Sequence, residues 1–154
     1  MSYDYSENIL VQESAGHLLQ NELGWEVAFA YNTEKLGENG TFGRKSYREI
    51  LLARYFREAL LRLNPWITPA QMDEAQRTLE YRLSTASLLQ INEEKYFLIR
   101  DGIPVTVKKP GGRTETKYAT VIDFRNPDNN HFLAIKERAE QSVGIRVLGI
   151  AVDM

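Results

Sequence analysis

The sequence predicts an α/β protein with a helix-rich first half, followed by a mixed β-sheet flanked by helices. Before Gly102, apolar residues recur at three- and four-residue steps, as they do along one face of a helix. After Gly102, short apolar runs are separated by turn residues, which is typical of strands. Helices that precede strands favour a mixed class, and a length of 154 residues predicts a single domain over 1–154.

The first helix is predicted to begin after Ser6, a residue suited to an N-cap, and to end at Gly24, which suits the position just past a helix. An aromatic and apolar run over Trp25–Tyr31 then predicts a strand, and Asn32–Lys45 is a glycine-rich polar loop. The apolar stripe of the first helix comprises Val11, Ala15, Leu18, Leu19 and Leu23.

Three more helices are predicted before Gly102. The strongest pattern spans Tyr47–Leu63 and ends at Asn64-Pro65. Thr68-Pro69 then combines an N-cap residue with a proline at the first helical position, and a shorter helix is predicted within Ser87–Arg100. The apolar stripe of the third helix comprises Met72, Ala75, Leu79 and Leu83.

Four strands are predicted after Gly102. Ile103–Val107 and Tyr118–Phe124 flank Lys109–Arg113, whose proline and glycines predict a hairpin turn. His131–Ile135 and Ile145–Val152 are two further candidates. The last has the apolar run of a buried central strand and the sequence stops two residues later, so we expect an unpaired edge through which two copies could form a homodimer.

Composition limits the possible functions. The 19 basic and 21 acidic residues give a net charge of −2, so binding to nucleic acid would depend on local patches. The chain contains no cysteine, which excludes disulfides and thiolate metal sites. No apolar segment is long enough for a membrane helix and no signal peptide is visible, so we expect a cytoplasmic protein without a membrane partner.

Basic residues cluster in two places where they could contact the phosphates of double-stranded DNA. One cluster is Arg44 and Lys45, close to Arg48. Neutralising phosphates releases counterions and gives sequence-independent affinity, although a solvated turn or helix end would look the same in the sequence. The other cluster surrounds the predicted hairpin and comprises Lys108, Lys109, Arg113 and Lys117.

Acidic residues are the candidates for metal chemistry. A Mg²⁺ ion takes one or two carboxylates and keeps several waters, so acids distant in sequence must meet. Glu13 lies away from the apolar stripe of the first helix, while Asp123 and Asp153 follow strands. A charged residue facing water is the alternative interpretation of each. The sequence contains no phosphate-binding loop, zinc-protease motif or hydrolase motif.

Four blocks in order resemble the N-terminal region of the R (restriction) subunit of type I restriction–modification enzymes, over roughly residues 6–137. The blocks are Glu7–Trp25, Lys45–Trp66, Ser84–Pro104 and Val121–Lys136. The Leu-Gly-Trp piece that ends the first block and the Asp-Phe-Arg-Asn-Pro-Asp-Asn-Asn stretch of the last are the most diagnostic.

The resemblance implies a Mg²⁺-dependent DNA-cleaving domain of the PD-(D/E)xK kind, with a central mixed sheet flanked by helices. In that family a glutamate of the first helix contributes to the metal site and to catalysis, and Glu13 is the matching position. An Asp on one strand and a Glu-x-Lys on the next complete the site. The resemblance also implies double-stranded DNA, modification subunits and specificity subunits as partners, with ATP used by motor domains that this chain lacks.

Residues 138–154 depart from the family pattern. The family continues into an Asp-bearing strand, an Asn-Gly turn and a Glu-x-Lys, none of which is present after Glu137. We therefore expect the chain to be the N-terminal part of a restriction endonuclease-like domain that is inactive alone. A non-catalytic remnant that binds DNA or docks on other subunits is the competing hypothesis, and the basic hairpin could also serve as a general DNA-binding element.

Overall fold

The computed structural model describes residues 7–29, 34–49, 51–81, 85–136 and 145–148. These residues fall into two compact units, those within 1–52 and 131–154 in one and those within 53–130 in the other. The mixed α/β class predicted from the sequence is confirmed. The elements are helices α1 (Glu7–Leu23), α2 (Ala53–Leu63), α3 (Pro69–Glu80) and α4 (Leu88–Asp101), and strands β1 (Glu26–Phe29), β2 (Ile103–Lys108), β3 (Thr114–Ala119), β4 (Leu133–Lys136) and β5 (Ile145–Leu148).

The first unit contains a three-stranded mixed sheet in the order β1-β4-β5. Strand β1 runs parallel to β4 with Glu26 opposite Leu133, and β4 runs antiparallel to β5 with Leu133 opposite Leu148. The side chains of Leu133, Ala134 and Ile135 are buried. The strand predicted at the end of the chain is therefore paired over Ile145–Leu148, and residues 149–154 lie outside the described part of the structure.

Helix α1 packs on β1 and β4. A Cβ atom at Gly16 would lie 3.7 Å from Val27 Cγ1, an ordinary van der Waals distance, so this turn of the helix faces the sheet. Gly24 has φ +67°, the left-handed conformation expected for the residue that ends the helix. The predicted apolar stripe is wrong in part, because Leu18 and Leu23 are both 58% exposed.

The second helix starts six residues later than the sequence predicts, at Ala53 rather than Tyr47. Residues 46–49 form a turn instead, in which Glu49 N–H donates to Ser46 O and the Glu49 carboxylate accepts from Lys45 N–H. The side chain that would start the stripe, Tyr47, is half exposed. The C-terminal end at Leu63 is as predicted, and Phe56 and Leu60 of α2 belong to the buried core.

Helices α3 and α4 begin where the sequence predicts, and each has a complete capping box. The Thr68 hydroxyl accepts from Gln71 N–H while the Gln71 side chain accepts from Thr68 N–H, and Ser87 and Gln90 repeat this arrangement. Met72 and Ala75 of the predicted α3 stripe are buried, Leu79 is half-buried, and Leu83 lies outside the described residues.

Strands β2 and β3 form the predicted hairpin, closed by a Lys109 N–H bond to Arg113 O. The second strand occupies Thr114–Ala119, so the prediction of Tyr118–Phe124 is wrong in its bounds. Side chains of α3 cover the outer edge of β2: Gln71 donates to Thr106 O, and the Glu74 carboxylate accepts from Thr106 N–H. Among the described residues, the strands therefore belong to two sheets rather than to one.

Candidate functional site

Glu13 lies on α1, one turn before Gly16, and its side chain is exposed. Gly16, three residues further along, faces Val27 of β1, so Glu13 lies on a part of α1 that packs against the sheet. The described residues contain no group of three His, Asp or Glu side chains able to hold a metal ion.

Asp123, the second acid considered from the sequence, organises its own loop. Its carboxylate accepts hydrogen bonds from the Asn129 side chain and from the N–H groups of Asn126 and Arg125. These bonds, led by that of Asn129, hold the pKa of the Asp123 carboxyl below its ordinary value. A carboxylate so used stabilises the loop, and Asp153 lies outside the described residues.

The amide of Asn130 completes this loop. Its Oδ1 accepts from Asp123 N–H and its Nδ2 donates to Asp123 O and Pro127 O. Arg62 donates from Nε to Asn129 O and ties the loop to the end of α2. The Asn- and Asp-rich stretch is thus a turn held together by side-chain hydrogen bonds. Its composition had predicted the turn but not these bonds.

The hairpin carries exposed positive charge at its tip. Lys108, Lys109 and Arg113 are exposed, and Gly111 and Gly112 both have positive φ, as a tight turn requires. Lys109 forms an ion pair with Glu115. Residues 103–119 contain four basic residues and one acidic residue, a net charge of +3 in a chain whose total is −2.

Lys117 lies on β3 opposite Val105, with its Nζ 4.9 Å from the centroid of the Trp66 ring. A cation over the face of a tryptophan is held by the ring quadrupole, which fixes the direction of the side chain while leaving it exposed. Three exposed cations and this positioned lysine therefore share one hairpin. Such an arrangement is typical of proteins that bind polyanions.

The second basic cluster is divided by the structure. Arg44 is 2% exposed, and its Nε and Nη2 atoms lie 2.6 and 2.7 Å from the two carboxylate oxygens of Glu34. This two-bond ion pair closes the loop over residues 34–44, and a buried guanidinium is not presented to a phosphate. Lys45, its neighbour in sequence, is exposed. Of the basic residues clustered in the sequence, Lys45 and Arg48 are therefore at the surface and Arg44 is not.

The sequence reasoning missed a contact between a histidine and a glutamate. His131 Nε2 lies 2.7 Å from Glu26 Oε2, next to a stacked pair of rings formed by Trp25 and Phe132 at 5.0 Å. The two pairs join the start of β1 to the start of β4. No local signal could reveal this contact, because its partners are 105 residues apart and meet only through the parallel pairing of the strands.

The described residues thus form a mixed α/β protein, with a helix packed on a mixed sheet in one unit and a basic hairpin in the other. A family model described as the N terminus of the type I restriction enzyme R protein matches residues 4–143. The chain therefore belongs to this family and corresponds to the N-terminal region of an R subunit, which confirms the resemblance seen in the sequence.

Two relatives support this assignment. The chain is 26% identical over 115 residues to the endonuclease subunit of the type I restriction enzyme HindI of Haemophilus influenzae, a match that covers 75% of the chain and 10% of the relative. It is 25% identical over 132 residues to a Methanocaldococcus jannaschii protein whose name assigns it to the endonuclease subunit of the type I restriction enzyme MjaIXP. That second match covers 86% of the chain and 12% of the relative.

The chain thus spans about a tenth of the length of these curated relatives. No solved structure matches it. The helices that the structure describes include none that is both long and apolar enough to cross a membrane.

Proposed function

We propose that this chain acts as the N-terminal part of the DNA-cleaving region of a type I restriction R subunit. The observation that carries the proposal is the family match over residues 4–143, together with relatives named as endonuclease subunits. In the parent complex, double-stranded DNA is the substrate, and modification and specificity subunits are the partners. ATP is used there by motor domains outside this chain.

Glu13 is proposed as one ligand of a Mg²⁺ ion that promotes phosphodiester hydrolysis. An exposed carboxylate on a helix packed against the sheet supplies the hard oxygen donor that this ion prefers. Among the described residues, Glu13 is not joined by two further acidic or histidine side chains, so this donor set does not amount to a metal site. We therefore assign no catalytic step to the described residues.

Plasmid nicking tests the proposal that the chain is inactive alone. We expect the purified chain with Mg²⁺ to nick supercoiled DNA no faster than Mg²⁺ alone, because the described residues place no group of three acidic or histidine side chains that would hold the ion beside a phosphate. Nicking that disappears in Glu13→Gln but persists in Glu22→Gln, an exposed glutamate on the same helix, would mean that the site is already complete. It would refute inactivity while supporting the role of Glu13.

A second measurement tests Glu13 independently of activity. Mn²⁺ can replace Mg²⁺ at carboxylate sites, and its unpaired electrons broaden the amide signals of nearby residues. We expect weak broadening centred on the turn of Glu13, lost in Glu13→Gln and retained in Glu22→Gln. Equal broadening in the wild type and in both variants would contradict a role for Glu13 in metal binding.

The hairpin residues Lys108, Lys109, Arg113 and Lys117, with Lys45, are proposed as phosphate contacts. Each contact that is lost should reduce the slope of log K against log salt concentration by about 0.9 for duplex DNA. We expect a smaller slope for the triple variant Lys108→Ala, Lys109→Ala, Arg113→Ala. A control with the same loss of charge, made at three exposed cations outside the hairpin, should retain the slope; this control changes Lys35, Arg77 and Arg125 to Ala.

A non-catalytic DNA-binding or subunit-docking protein is the second candidate. It is favoured by the exposed charge of the hairpin and by the absence of a metal-binding group among the described residues. The downstream gene sequence separates the two candidates. An open frame that encodes a strand, an Asn-Gly turn and Glu-x-Lys would support the nuclease, whereas binding to DNA without such a frame would support the alternative.

A further inference from the structure

Helix α4 is apolar on two opposite faces. Its inner face carries Ile91 and Leu98, both half-buried. At 100° per residue, a second stripe lies on the opposite side of the helix. We call this the outer stripe of α4; its members are Leu89, Glu93, Tyr96, Phe97 and Arg100.

The outer stripe is open to solvent. Leu89 is 78%, Tyr96 56% and Phe97 42% exposed, and α4 contains no buried residue although it lies within a compact unit. A surface helix normally has one apolar stripe, which faces the core, and a group of large apolar side chains exposed on another face marks an interaction surface. The outer stripe therefore needs a partner.

The arrangement of charge in the outer stripe indicates what that partner is. Glu93 and Arg100 stand seven residues apart, one on each side of the aromatic pair Tyr96 and Phe97. If two copies of α4 pack antiparallel about a two-fold axis between Tyr96 and Phe97, Glu93 of each copy lies opposite Arg100 of the other. Each aromatic ring then meets an aromatic ring. The stripe is thus complementary to itself, as the interface of a symmetric dimer must be.

Arg100 is already held in a position suited to this pairing. Its guanidinium lies 4.8 Å from the centroid of Phe97 and 5.5 Å from that of Tyr96. Asp101 accepts from Nε and Nη2 at 2.6 and 2.7 Å, so Nη1 lies outside that ion pair. A carboxylate that approaches from a second copy can therefore contact Nη1 without displacing Asp101.

We propose that the outer stripe of α4 is a self-association surface whose occupant is the same stripe of a second copy of this chain. With the axis between Tyr96 and Phe97, the parts of the two stripes that overlap run from Glu93 to Arg100, about 12 Å at 1.5 Å per residue or roughly two turns. Two such faces form an interface at the lower end of the size range for specific complexes, so the dimer is weak and concentration-dependent. This surface is distinct from β5, whose edge the sequence had suggested for a homodimer.

Sedimentation velocity from micromolar to near-millimolar concentration, at low salt, tests the proposal. The wild type is expected to shift from monomer to dimer as concentration rises. Glu93→Arg places arginine opposite arginine, and Arg100→Glu places glutamate opposite glutamate, so each variant alone should remain monomeric. An equimolar mixture of the two variants should dimerise again, because both pairs of opposed charges are then attractive. Circular dichroism of each variant checks that it is folded.

Glu80→Arg, which makes the same charge change on α3, is the matched control and should dimerise like the wild type. A wild type that stays monomeric throughout the concentration range would overturn the proposal. It would also be overturned by dimers that persist in both single variants, since they would use another surface such as β5. A stripe that binds only the remaining part of an endonuclease subunit would appear as a monomer in this experiment and count against the proposal.

Discussion

Replacing Asn64 should lower the free energy of unfolding of the second unit substantially. Asn64 follows the last residue of α2 and is 2% exposed. Its Nδ2 donates to Leu60 O at 3.0 Å and to Thr120 O at 2.8 Å, and its Oδ1 accepts from Thr120 N–H at 2.8 Å. One side chain thus joins the end of α2 to the backbone that follows β3.

Replacing Asn64 with alanine removes all three bonds and leaves the polar backbone groups of Thr120 without their partner. At about 1 kcal/mol for each hydrogen bond, with a further penalty for partly buried groups left unsatisfied, we expect a loss of about 3–4 kcal/mol in the free energy of unfolding. A domain of this size is stabilised by only about 5–15 kcal/mol, so the loss is a large share of the total.

Urea denaturation followed by circular dichroism measures this loss. Asn64→Asp separates hydrogen bonding from packing, because it keeps the volume but places an oxygen where Nδ2 had donated to two carbonyl groups. We expect it to be destabilising as well, whereas Asn92→Ala, at an exposed position on α4, should change stability by less than about 0.5 kcal/mol. The reasoning is refuted if Asn64→Ala and Asn64→Asp both cost less than about 1 kcal/mol with an unchanged dependence on urea.

Three further outcomes are expected. Because the pKa of Asp123 is lowered in the folded state, its carboxylate stabilises the fold above the ordinary carboxyl pKa, and this contribution is lost as pH falls through the lowered value. The urea midpoints of wild type and Asp123→Asn should therefore differ at pH 7 and converge below about pH 4; a gap that does not depend on pH would contradict this. Gly102→Ala should cost more than Gly111→Ala by denaturation, because both have positive φ but only Gly102 would bring a Cβ within 3.1 Å of a carbonyl oxygen; equal costs would exclude the close contact as the cause. Thr68→Ala should lower stability by about 1 kcal/mol through loss of the N-cap, whereas Thr68→Ser, which keeps the capping hydroxyl, should lower it less, and similar losses would argue against the cap.

Helix ends and turns that depend on a few neighbouring residues were predicted well. The starts of α3 and α4 follow from Thr68 and Ser87, whose hydroxyl groups satisfy N–H groups three residues away. The end of α1 follows from Gly24, and the hairpin from its proline and glycines. Each of these depends on a hydrogen bond or a dihedral angle within one turn of chain, so a short stretch of sequence is sufficient to specify it.

The predictions were wrong where apolar spacing alone was used to set the bounds of a helix or a strand. Apolar spacing suggested that the second helix starts at Tyr47, but the hydrogen bond from Glu49 N–H to Ser46 O forms a turn instead. The apolar residues after Tyr118 suggested a strand there, but the register imposed by the hairpin turn places β3 on the polar stretch Thr114–Ala119. Hydrophobicity indicates which residues are buried, whereas register depends on the turn that closes the hairpin.

For the candidate site, too, the sequence identified some features and could not show others. The sequence and its resemblance to the R subunits were enough to identify the family and to select Glu13 and the hairpin cations as the residues to test. They could not show that Arg44 is buried against Glu34, or that His131 meets Glu26. Those contacts join residues that the chain brings together only after it has folded.

The sequence by itself thus determined the α/β class, most of the helix limits and the family, because these follow from local propensities and from an ordered set of motifs. Only the tertiary structure decided which charged side chains are exposed. The exposure of Lys109, the burial of Arg44 and the two apolar faces of α4 depend on the packing of whole elements. Burial is a property of the space around a side chain, and distant parts of the chain fill that space.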